Sequence, residues 1–113
     1  MKIITDDIVL EELKQMASAM FGNSVKAVVD TERGLLALDA ELHSDLESLL
    51  LRDGSKHKDL WGINLYPELQ GDDFVEFDSM INMRPSQNNR SRGVDDEQIR
   101  NKIIEIVSER IRR

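Results

Sequence analysis

The sequence predicts an α+β domain, an antiparallel sheet of about four strands with three helices in the chain order α-ββα-ββα. Two observations carry this reading. Three segments repeat apolar residues at helical spacing and end in capping or stop residues. Between them lie two pairs of strand-like segments, and in the second pair apolar and polar residues alternate.

In the first helix Leu10, Leu13, Ala17, Met20 and Phe21 form the stripe, and Gly22 stands where a C-terminal cap belongs. The second is expected to begin at Ser44, with Glu47 three residues on as a capping box. Leu46, Leu49 and Leu50 are its apolar face and Gly54 its stop. The third starts at Asp95, with Asp96 and Glu97 in its first turn and Ile99, Ile103, Ile106 and Val107 as its stripe. Arg110, Arg112 and Arg113 complement the dipole at its end.

The first strand pair is 25–30 and 35–40, turning through Thr31-Glu32-Arg33-Gly34, where Gly34 suits a left-handed position. The second is 61–66 and 74–83, joined by a turn over 67–73. Alternation predicts one face under helices and one polar face carrying Lys26, Asp30, Asp39, Glu41, Asn64, Glu76, Asp78 and Asn82. Met16, Met20, Met80 and Met83 read as core filling, with Trp61 and Tyr66 at the core and its edge.

The 113 residues suit one domain, 1–113, able to bury roughly 60–70% of its unfolded surface without staples. There is no cysteine, so no disulfide framework or thiolate metal site. The first residues lack the apolar core of a signal peptide, and no apolar run approaches the roughly 20 residues that span a bilayer. The expectation is a cytoplasmic protein without membrane contact.

The net charge is -7, unevenly spread: residues 1–83 carry 7 basic and 17 acidic residues, residues 84–113 carry 8 and 5. An acidic whole argues against broad nucleic-acid binding, which needs a positive field, yet leaves room for a local basic patch.

That patch is the segment 82–93, with three arginines, no acid and many amide and hydroxyl groups. Arginine forks match carboxylate and phosphate oxygens, and a helix N-terminus follows. Arg84, Asn88, Asn89, Arg90, Ser91 and Arg92 are therefore the candidate anion-binding residues. Against this, Asp95, Asp96 and Glu97 already occupy that helix terminus, and neither GxxxxGK[ST] nor GxGxxG occurs. The alternative is an ordered connection whose arginines serve the protein itself.

Asp39, Glu41, His43 and Asp45 are spaced by two, and a strand continuing to His43 would put them on one face as cation ligands. A helix start at Ser44 breaks that alternation, so Asp39, Glu41 and His43 are weak metal candidates and no metal or cofactor is implied. His57 reads as a solvated loop residue. No GxSxG elbow or Ser/His/acid context supports nucleophilic catalysis.

The stretches GSKHKDLWGINLYP (54–67) and FDSMINMRPSQNNRSRG (77–93), with the first helix and ELHSD (41–45), resemble a family of small, uncharacterised prokaryotic proteins of this length. The resemblance covers nearly the whole chain. It implies a stand-alone bacterial or archaeal domain and brings no assigned activity, so no residue role is carried over.

Three functions remain in view. The first is a binding module for an anionic ligand or a protein partner, expected to be a homo-oligomer because open sheet edges need covering. The second is a small enzyme on a phosphorylated or carboxylated metabolite, the arginines orienting substrate and His43 or Asp78 serving as acid, base or metal ligand. A cleft shared by the arginines with His43 and Asp78 would favour it. The third, RNA binding through the basic C-terminal quarter, predicts steep weakening with salt.

Overall fold

A computed structural model describes residues 1–113. Three helices and a five-stranded antiparallel sheet form the body, so the α+β class holds. The central strands are β3 (Val25–Asp30) and β5 (Leu60–Leu65), paired over six residues from Val25 with Leu65 to Asp30 with Leu60. On one side lies β4 (Leu35–Leu38) and then β1 (Lys2–Ile4); on the other lies β6 (Val75–Glu76). Gly34 takes the left-handed conformation that the β3–β4 turn requires, with φ of 67°. A further parallel pair joins β2 (Ile8–Val9) to β7 (Ile111–Arg112).

Helices α1 (Leu10–Ala19) and α3 (Glu97–Arg110) cover one face, where Leu13, Ala27, Val29, Leu36, Leu38, Ile63, Leu65 and Ile103 are sealed from solvent. Helix α2 (His43–Arg52) covers part of the other, setting Leu46 and Leu50 on Val28, Leu35, Ala37 and Leu60. The expectation of one open polar face is thus corrected. The reason is legible in β3 and β4, whose near-unbroken apolar runs, VKAVVD and LLAL, are what a strand buried on both faces needs. Only the end of this face beyond α2, around Lys26 and Asn64, stays polar and reachable.

The second hairpin is shorter than its alternation predicts. Strand β6 stops at Glu76, and 77–93 folds into an irregular segment with 3-10 turns at Met80–Asn82 and Pro85–Gln87. This segment closes the β5 edge with side chains instead of a strand. The Asn82 amide accepts from Gly62 N at 2.8 Å and donates to Gly62 O at 2.9 Å, as a neighbouring strand would. Arg84 donates to His57 O and Leu60 O, both at 2.6 Å. Gly62 has to lack a side chain here, because a Cβ would stand 2.6 Å from Ser79 Cβ. No helix is long and apolar enough to cross a membrane.

Candidate functional site

Beyond the α2 N-terminus, the polar end of the sheet opens into a cleft of about 370 Å³. Its floor comes from β3 and β5, where Lys26 and Asn64 are cross-strand partners. One wall is the start of α2, Leu42-His43-Ser44; the other is Asp78–Ile81 with Arg92.

Helix α2 begins at His43, with Leu42 as its N-cap and no side chain capping it. The expected cap, Ser44, is therefore inside the helix. Asp45 N bonds back to Leu42 O, and with no side chain capping the turn the His43 and Ser44 N–H groups and the positive end of the dipole are left to whatever enters the cleft. His43 anchors the start: its ring Nε2 lies 2.7 Å from Ile63 O, and a carbonyl only accepts, so Nε2 carries the proton. In the neutral ring Nδ1 is then an acceptor, and it takes no partner from the protein. Burial holds His43 below its ordinary pKa, helped by the charges of Lys26 and Arg92 and opposed by the Ile63 hydrogen bond and Asp78.

Arg92 donates from Nε to Asp78 Oδ1 at 2.7 Å, which leaves its two terminal nitrogens without a protein partner. Its backbone is pinned, since Arg92 O accepts from Ser79 N and Asn82 Nδ2. Lys26 forms no ion pair; its ammonium lies 5.3 Å from the Phe21 ring centre. The rim is apolar, with Leu42 54% and Met80 64% exposed. Met80, with Met83 and Met20, was expected in the core and stands at the surface instead.

The six residues singled out in the arginine-rich segment separate into two groups. Arg84 and Asn89 are buried. Arg84 stacks 4.1 Å from the Trp61 ring, and burial lowers its pKa. Asn89 donates to the carbonyls of Asn82, Ser91 and Gly93 and accepts from Asp95 N. Ser91 donates to the Asp95 carboxylate, which also accepts from Arg90 N. These bonds fold the segment. Asn88 holds a left-handed turn, Arg90 is exposed, and Arg92 alone of the six lines the cleft.

The α3 N-terminus is already served, by the Asp96 side chain on Gln98 N. Lys26, Asn64 and Ser79 were not singled out for the site, because only tertiary structure brings them to α2, and Ser44 was read as a cap.

Asp39, Glu41 and His43 are not gathered. The strand ends at Leu38, Asp39 turns left-handed with φ of 73°, and no cluster of three His, Asp or Glu residues could hold a metal ion. His43 and Asp78 do meet Arg92, in the cleft. A larger groove of about 840 Å³ runs along α3 beside Phe74 and Phe77, with Arg100 and Arg113 on it. It is the roomier cavity, but it has no histidine, and Arg100 is already engaged with Val94 O and Asp95 O. The smaller cleft holds the denser chemistry.

No curated protein and no solved structure matches the chain. A family model does, over residues 2–110, described as "Protein of unknown function (DUF5674)". With nearly its whole length matched, the chain belongs to the DUF5674 family, whose function is not assigned.

Proposed function

We propose that this protein is a binding module for a small oxyanion, a carboxylate or a phosphate, taken up in the cleft at the α2 N-terminus. The observation that carries the reading is the uncapped start of α2 opening between Lys26 and the terminal nitrogens of Arg92. Free helix N–H groups, a point charge and a guanidinium are the donors that oxyanions take. Within the arginine-rich segment the anion contact belongs to Arg92, with Arg90 exposed nearby in sequence, while Arg84, Asn89 and Ser91 shape the backbone that presents it.

A thermal-shift screen with inorganic phosphate, nucleotides, organic acids and short RNA tests this. A ligand at about 100 times its Kd stabilises by roughly 2.7 kcal/mol, a shift of several degrees for a domain of this size. The expected result is a shift with one class of anion, lost in Lys26→Ala/Arg92→Ala and kept in Arg90→Ala. A shift that survives the double substitution, or none with any anion, overturns the reading. A response confined to RNA and steeply weakened by salt would favour nucleic-acid binding instead.

A second reading, a small enzyme on a phosphorylated or carboxylated metabolite, is favoured by one observation. His43 and Asp78 share the cleft with Arg92, so an acid–base group would lie beside the bound anion. Turnover of a ligand found in the screen, lost in His43→Gln by far more than its binding weakens, is its test.

A further inference from the structure

We infer that the anion taken by this cleft carries its own hydrogen-bond donor, as hydrogen phosphate or a hydroxy acid does, and that the donor is received by His43 Nδ1. The inference rests on the oxyanion reading and narrows it. His43 is only 8% exposed and lines the cleft. Its Nε2 proton is committed to Ile63 O at 2.7 Å, which fixes the tautomer and makes the opposite nitrogen a lone pair. Nδ1 has no protein partner, and it is not among the buried polar atoms sealed from solvent without one.

The cleft is therefore not uniformly a donor site. Lys26, Arg92 and the N–H groups of α2 offer donors, whereas His43 Nδ1 and the Asp78 carboxylate offer only lone pairs. An anion without a proton satisfies the first set and sets its own lone pairs against the second. An anion with an attached O–H or N–H satisfies both, because an acceptor left unmatched beside a bound anion loses its water without replacement.

The charged groups around the ring agree with a neutral acceptor. Lys26 on β3 and Arg92 on the irregular segment disfavour the imidazolium, Asp78 favours it, and burial disfavours it most.

Sulfate and inorganic phosphate separate the possibilities. The two are close in size and shape. Near neutral pH sulfate has no proton, while phosphate keeps at least one. Sulfate also carries at least as much negative charge, so charge alone would not make phosphate the tighter ligand. The experiment is calorimetric titration of the whole protein with each anion at matched ionic strength, repeated on His43→Phe.

The expected result is phosphate tighter than sulfate by about tenfold, one hydrogen bond's worth, with the two levelled in His43→Phe while sulfate binding is retained. Glycolate against methoxyacetate, which differ by the same donor, should show the same split. Equal affinities in the wild type overturn the inference and leave the oxyanion reading standing. A preference that persists in His43→Phe overturns the role of His43. Failure of both anions, with Lys26→Ala/Arg92→Ala no different, removes the oxyanion reading itself.

Should His43→Phe fail to fold, the ¹⁵N resonance of Nδ1 in the wild type serves. It must shift with phosphate and stay put with sulfate; equal shifts count against the inference.

Discussion

At the scale of single residues, two arginines eight positions apart do different work. Arg92 keeps two nitrogens for the cleft, whereas Arg84 lies over the Trp61 ring and bridges two backbone carbonyls, so its charge is spent inside the protein. Removing it leaves Leu60 O, buried on the sheet edge, without its donor. Arg84→Ala should destabilise by about 2–4 kcal/mol in urea unfolding, and Arg84→Lys should recover little, because a single ammonium cannot span both carbonyls. A loss below about 1 kcal/mol would show that water serves those carbonyls equally well. The sequence showed that arginines were concentrated here. Burial decides which of them is structural, and burial depends on where β5 ends and β6 fails to follow.

At the scale of elements, the start of α2 is where local pattern and tertiary structure part. Ser44 and Glu47 spell a capping box, yet the N-cap falls two residues earlier, at Leu42, where His43 is drawn to Ile63 O. A buried hydrogen bond outweighs a cap worth roughly 1 kcal/mol. Leu42→Asp therefore has two expected effects of opposite sign. It should stabilise the protein by about 0.5–1 kcal/mol in thermal unfolding by capping α2, and abolish the response to phosphate by filling the anion's place with its own carboxylate. Stabilisation with phosphate binding retained would place the anion elsewhere. The three helices and β5 were legible because each is long enough to show a period, and β3 and β4 because their apolar runs flank a glycine turn at Gly34. Strands β1, β2 and β7, of two or three residues, show no period and are held only by partners distant in sequence.

At the scale of the whole molecule, the acidic excess lies wholly in residues 1–83, yet the cleft carries Lys26, Arg92 and a helix N-terminus beside Asp78. Charge counted along the chain pointed to residues 84–93, and the fold moved the focus to the α2 start. The same cleft gives the protein an acid limit. Burial lowers the His43 pKa from 6.5, so between those two values the unfolded chain binds more protons than the folded one. Stability from this group is complete above pH 6.5 and is lost as pH falls below it towards the folded value. Urea midpoints of the wild type should decline through that window, while His43→Gln should show a flatter decline. Parallel curves for the two proteins would show that His43 titrates normally.

Asn82 and Arg84 read the β5 edge, and that edge exists only once β5 has paired with β3. The segment 77–93 can therefore settle only after the central strands have zipped, which makes its docking conditional in the order of assembly. Arg92 and Asp78 arrive with it. The cleft is complete only when that segment has docked, and it is lost whenever the segment opens. Any anion held between Arg92 and α2 would bind across that seam and so favour the docked segment.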